Sequence, residues 1–158
     1  MDMTSALGLL AFLGLCFLTA LSGAFFMPGE WYRGLAKPSW NPPDWAFAPA
    51  WAVLYIMIAV SGWLVWRQAG LAGAALPLAV YGVQLLFNAG WSAVFFGLQR
   101  PDLAFVEVIG LWLSIAATIL VFWPVSTLAA LLLLPYLAWV TFAATLNFAI
   151  WRLNVAHA

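Results

Sequence analysis

The sequence predicts an all-α integral membrane protein, a bundle of five transmembrane helices, and two observations carry that prediction. Composition is the first. Of 158 residues, 67% are hydrophobic and 6% charged, and the mean hydropathy is +1.06, whereas a soluble domain carries about a quarter charged residues. The spacing of the charges is the second. Five basic and five acidic side chains leave uncharged stretches at 3–29, 45–66, 68–99 and 108–151, and a helix crosses the hydrocarbon core in roughly 20 residues.

Each element follows from those intervals. The first stretch predicts a helix near 5–27. It has no basic start, Asp2 being its only early charge, and its apolar run exceeds the roughly 7–15 residues of a signal peptide, so it reads as a retained span. A loop over 28–43 leads to a helix near 44–67, which ends at Arg67. The next runs near 73–98, just before Arg100. As one helix, the stretch 108–151 would extend about 66 Å, roughly twice the core thickness. Pro124, with Ser126 and Thr127 behind it, is the natural break, giving helices near 102–122 and 127–152. All of 1–158 forms a single domain. Five crossings put Arg67 on one side and Arg33, Lys37, Arg100 and Arg152 on the other. In a bacterial inner membrane, that asymmetry predicts the N-terminus out and the C-terminus in.

Composition also excludes several functions. Zero formal charge without basic clusters argues against nucleic acid, which is bound mainly through phosphate neutralisation. Cys16 and His157 are the only cysteine and histidine. They leave no intrachain disulfide, no thiolate metal cluster and no Ser-His or Cys-His nucleophile. No metal site and no required cofactor is expected, and no glycine-rich phosphate loop precedes a lysine.

The first loop is the one connection long enough for structure of its own. Residues 29–36 predict a short interfacial helix with Trp31 and Tyr32 at headgroup level, and Pro38, Pro42 and Pro43 then impose an extended path. Such stiffness suits a lid over the bundle, and the aromatic residues equally suit an interfacial belt. Trp63, Trp66, Trp123 and Trp151, near helix ends, also read as belt residues.

Other aromatic residues form stripes well inside the spans. Phe47, Trp51 and Tyr55 are spaced i, i+4, i+8; Gln84, Asn88, Trp91 and Phe95 share a face of the third span; Tyr136, Trp139, Ala143, Leu146 and Asn147 share one of the fifth. A buried amide needs a hydrogen-bond partner in hydrocarbon, so Gln84, Asn88 and Asn147 are expected to face the interior. Two readings fit these stripes: interhelical packing, or an apolar pocket with a few polar anchors. Glu107 is the one acid well inside a span; it is placed to reach the interface or pair with Arg100, and shares a face with Ser114 and Thr118. Small residues Ala75, Ala79 and Gly82 make the third span the candidate homodimer contact, or an intramolecular packing face.

The run Trp31-Tyr32, Leu35, Lys37-Pro38, Trp40, Pro42-Pro43, Trp45, Phe47, Trp51, Leu54-Tyr55 resembles the translocator protein family, also called tryptophan-rich sensory proteins or peripheral-type benzodiazepine receptors. Gln84-Leu85, Phe87-Asn88, Trp91 and Phe95-Phe96-Gly97 add to it, as do Pro135-Tyr136-Leu137, Trp139, Thr141, Leu146-Asn147 and Trp151-Arg152. The resemblance implies a five-helix bundle, commonly homodimeric, whose cavity is closed by the first loop and binds protoporphyrin IX and other tetrapyrroles, sterols and benzodiazepine-type drugs. It implies that Trp51, Asn88, Trp139, Ala143, Leu146 and Asn147 line the cavity, with Trp40 and Pro42-Pro43 in its lid. One departure stands out. The sterol motif of animal members has a tyrosine where Phe148 stands here, which speaks against high sterol affinity.

The expected function is porphyrin binding in an aromatic-lined cavity, with a sensory or regulatory role in tetrapyrrole handling and Arg33 and Lys37 meeting the propionates. Two alternatives follow from the same resemblance. One is light- and oxygen-dependent porphyrin breakdown, with Trp51 and Trp139 as the reactive indoles. The other is transport of porphyrin or lipid.

Overall fold

Helix α1 (Met3–Phe25) starts where the Asp2 carboxylate accepts from the Ser5 backbone N–H, a side-chain N-cap. In the computed structural model, which describes residues 1–155 and so leaves His157 outside, five helical segments are long and apolar enough to cross a membrane. The short helix α2 (Glu30–Gly34) follows. Beyond it Leu35 at φ −71°, ψ 141° and Pro43 at φ −63°, ψ 144° have polyproline II values, but the path between them is not extended throughout: the Asn41 N–H bonds the Pro38 carbonyl at 3.0 Å and closes a turn at Ser39 and Trp40. A 3-10 turn, Asp44–Ala46, opens the second span.

Helix α3 (Phe47–Gly73) is interrupted at Gly70, whose φ of +68° is open to glycine and costly for other residues. The straight part of the span thus stops just beyond Arg67. Helix α4 (Ala75–Ser92) continues as a π turn, Ala93–Gly97, closed by the Leu98 N–H on the Ala93 carbonyl. Helix α5 (Pro101–Phe122) has proline in its first turn, where the missing N–H is harmless. The chain reverses around Pro124, and Ser126 caps helix α6 (Thr127–Leu132) by accepting from the Ala129 N–H.

The expected single helix over 127–152 is two helices, α6 and α7 (Leu134–Val155). Pro135 is the physical reason. It cannot donate to Leu131, and its ring excludes that carbonyl; the chain tightens there, with the Leu133 N–H on the Ala130 carbonyl.

The spans form a ring. α1 touches α3 and α4, α4 packs on α5, and α5 packs on α7, while α6 lies against α3. Close approach of α1, α3 and α4 depends on glycine. A Cβ on Gly62 would lie 2.7 Å from Tyr81 and 2.8 Å from Phe12, and one on Gly8 would lie 2.1 Å from Trp66. Trp63 is not a belt residue: it is buried, and its indole donates to the Ser5 carbonyl at 2.9 Å, tying α3 to α1. Tyr32 also departs from its expected place at the headgroups. It is buried between the rings of Phe95 and Phe96.

Arg100 pairs with Asp102 and not with Glu107. The Glu107 carboxyl lies between α5 and α4, with an oxygen 3.0 Å from where a Cβ of Gly90 would be, and both its oxygens are buried without a hydrogen-bond partner. The Ser114 and Thr118 hydroxyls donate to carbonyls of their own helix, so they do not extend a polar track from Glu107. On α4, Ala75 and Ala79 are exposed, and a Cβ on Gly82 would meet nothing within 4 Å. That small-residue face points away from the bundle.

Candidate functional site

Near the end of the bundle that carries α2, the ring encloses a cavity of about 630 Å³, within the usual range for ligand pockets of about 300–1,000 Å³. Ten of the thirteen residues singled out in the sequence line it. Phe47, Trp51 and Tyr55 come from α3; Asn88 and Trp91 come from α4, and Phe95 from its π turn; Trp139, Ala143, Leu146 and Asn147 come from α7. The i, i+4 spacing of each stripe turns its members toward the same interior space.

Trp40, Gln84 and Tyr136 do not line it. Trp40 is 46% exposed and rests edge-on against Phe142 at 5.9 Å, outside the cavity. Gln84 and Tyr136 are fully buried behind the wall. Their partners explain why. The Tyr55 hydroxyl donates to Asn88 Oδ1 at 2.6 Å, Asn88 Nδ2 donates to the Tyr136 hydroxyl at 2.6 Å, and Tyr136 donates to Gln84 Oε1 at 2.9 Å. This chain of bonds ties α3, α4 and α7 together, and it draws Tyr136 and Gln84 into the protein and away from the cavity.

The second amide is equally engaged. Asn147 accepts from the Trp91 indole at 3.0 Å and donates to the Pro101 carbonyl at 2.7 Å. Both asparagines therefore work first as interhelical connectors. The indole N–H of Trp139 is different: it is buried and has no partner, which leaves a donor in a cavity-lining side chain. Aromatic edges and faces supply the rest of the wall. Trp51 meets Trp139 edge-on at 6.3 Å, Phe47 meets Trp139 at 5.9 Å, and Trp91 stacks on Phe95 at 5.1 Å, geometries that suit the ring quadrupoles.

Charge is confined to the mouth, where Arg33 and Asp44 line the rim. Arg33 pairs with Glu30 across one helical turn, and both are exposed, so solvent holds that pair only weakly. Lys37 is committed elsewhere. Its ammonium donates to the Tyr32 carbonyl at 2.7 Å and the Leu35 carbonyl at 3.2 Å, and it lies over the Tyr32 ring. Burial, with the nearby Asp44 carboxylate, pushes the Tyr32 phenol above its usual pKa, so this ring stays neutral at the mouth.

A family model described as TspO/MBR family matches residues 11–152. The chain belongs to the TspO/MBR family. It is 45% identical to Protein CrtK of Rhodobacter capsulatus over 88% of both chains. It is 43% identical to Tryptophan-rich protein TspO of Chlorobaculum tepidum over 90% of this chain and 92% of that one. It is 42% identical to Translocator protein of Homo sapiens over 84% of this chain and 81% of that one. Membership in this family, together with the five apolar spans, establishes an integral membrane protein.

Several lining residues escaped the sequence reading. Ala20 and Gly23 come from α1, Ala48 and Ala52 from α3, and Leu111 from α5. None carries a chemical signature. Ala48 and Ala52 stand one position, about 100° of helix rotation, from Phe47 and Trp51, and so lie off their stripe. On α1, Ser5, Cys16, Thr19 and Ser22 mark the inward side, and Ala20 and Gly23 stand next to the last two.

Proposed function

We propose that this TspO/MBR protein binds tetrapyrroles such as protoporphyrin IX in the cavity and serves a sensory or regulatory role in tetrapyrrole handling. One observation carries the reading. The cavity is walled by aromatic rings, its two amides are already bonded to the protein, and its charged side chains, Arg33 and Asp44, stand at the rim. Such a site favours a flat apolar body with anionic groups at the mouth. Arg33 is the cation placed for a propionate, since Lys37 is bonded to its own loop. A relative from Cereibacter sphaeroides that bears the name Tryptophan-rich sensory protein supports the sensory role.

Phe148 is exposed on the outer surface against Phe105 and Trp151, so it adds nothing to the cavity as a sterol contact. We place the mouth, with Arg33, Lys37, Arg100 and Arg152, on the cytoplasmic side of an inner membrane, following the positive-inside asymmetry. The free face at Ala75, Ala79 and Gly82 is the proposed homodimer contact. The test is a titration with protoporphyrin IX in nanodiscs, read by tryptophan quenching in the parent, Trp51→Phe and Trp139→Phe proteins. Saturable quenching weakened in both variants is expected. Equal, non-saturable quenching in all three would refute the reading.

A further inference from the structure

We infer that the cavity is loaded sideways from the bilayer, through a slot between α1 and α3, while the first loop stays shut. α1 does not follow α3 along its whole length. In its N-terminal half it lies tight against α3, where Trp63 donates to the Ser5 carbonyl and Gly8 and Gly62 admit the rings of Trp66 and Phe12. In its C-terminal half it leans on α4 instead. There Ser22 donates to the Ala89 carbonyl, and the Phe26 ring lies 2.8 Å from where a Cβ of Gly97 would sit.

The first turns of α3 are thereby left uncovered. Ala48 and Ala52 are exposed and also line the cavity. Ala20 and Gly23 of α1 form the opposite edge, and a Cβ on Gly23 would find its nearest neighbour, the Ser92 hydroxyl, at 3.9 Å. All four edge residues are alanine or glycine, so their side chains are too short to bridge the gap. All four also lie within membrane-spanning helices, so the slot opens onto lipid tails.

At its outer end the slot meets Arg33 and Asp44, which line the same cavity. That geometry suits an amphiphile with a flat apolar body and charged groups on one edge. Burying charge in hydrocarbon is costly; here the apolar body slides in between the helices while the charged edge stays at the interface.

The loop, by contrast, is tied down. Asn154 of α7 grips both backbone groups of Ala36: the Ala36 N–H donates to Oδ1 at 3.0 Å, and Nδ2 donates to the Ala36 carbonyl at 2.9 Å. Tyr32 is buried against Phe95 and Phe96. Lifting the loop would break these attachments together, whereas the slot needs no bond broken.

The inference rests on the porphyrin-binding reading. Protoporphyrin IX is mixed by stopped flow with protein in nanodiscs, and association and dissociation are read by tryptophan quenching. The variants are Gly23→Leu/Ala48→Leu, which narrows the slot, and Asn154→Ala, which frees the loop. The slot variant is expected to slow association by about tenfold, as a gate does, with affinity read separately by equilibrium titration because its residues also line the cavity, and Asn154→Ala to leave both rates at parental values. Should the double variant fail to assemble, Ala52→Leu alone carries the same expectation. Parental rates in the slot variant overturn the inference, as does faster exchange in Asn154→Ala. A parent protein without saturable binding overturns the porphyrin reading and the slot with it, and is distinguishable from the outcomes above.

Discussion

Tyr136→Phe removes one oxygen atom from the centre of the bundle, and the structure gives the size of the effect. The hydroxyl accepts from Asn88 at 2.6 Å and donates to Gln84 at 2.9 Å, and the side chain is fully buried. Each neutral hydrogen bond contributes about 0.5–1.5 kcal/mol net, and interhelical bonds in membranes average about 0.6 kcal/mol. Two bonds lost, with the Gln84 carbonyl left unsatisfied, predict a destabilisation of about 1–3 kcal/mol. Reversible unfolding in mixed micelles, followed by helix signal, measures it. Tyr55→Phe is the comparison. It breaks one bond to Asn88 at the cavity surface, where water can replace the donor, so its cost is expected below about 1 kcal/mol. Adding Gln84→Leu to Tyr136→Phe should recover part of the loss, because both ends of that bond are then apolar. A Tyr136→Phe protein as stable as the parent, or strict additivity with Gln84→Leu, would refute the reasoning.

Other expectations follow from single contacts. Gly62→Ala places a methyl 2.7 Å from Tyr81 and 2.8 Å from Phe12, and the overpacking should cost about 1–3 kcal/mol in the same unfolding assay. Arg33→Gln should weaken protoporphyrin IX binding, while Lys37→Gln should leave equilibrium affinity near the parent value, since Lys37 is spent on loop carbonyls; parallel titrations separate the two. Ala75→Phe/Ala79→Phe, on the exposed face of α4, should convert a dimer to monomer in sedimentation or cross-linking. Unchanged mass would remove that face as the contact.

The fold was legible because its signal is coarse. The charged side chains other than Glu107 fall near the ends of the spans or between them, and Pro124 and Ser126 turn the chain where the length argument required. The Leu133 break escaped because the length argument required only one interruption and Pro124 supplied it, although Pro135 stands in the interior of the span placed at 127–152, where proline breaks a helix. At the cavity, the aromatic stripes were readable from helical spacing. Depth was not. Asn88 and Gln84 are one turn apart on one face, yet Asn88 reaches the cavity and Gln84 bonds Tyr136 behind it. Only the position of α7 against α4 decides between them. Trp63 misled for a related reason: an indole near a span end reads as a belt residue until the Ser5 carbonyl is found beside it. The alanines and glycines that shape the slot carry no signal beyond their size.

Filling the cavity distinguishes a porphyrin held by these walls from one held elsewhere. Ala143 lines it on α7 between Trp139 and Asn147 and takes no part in the Tyr55–Asn88–Tyr136–Gln84 bonds. Protoporphyrin IX titration of Ala143→Leu, with its unfolding midpoint measured alongside, separates site from scaffold. Parental stability is expected with porphyrin affinity reduced by about tenfold or more, the cost of displacing one or two methylenes of contact. Full affinity in a stable Ala143→Leu protein would contradict it, and would put the porphyrin outside this cavity.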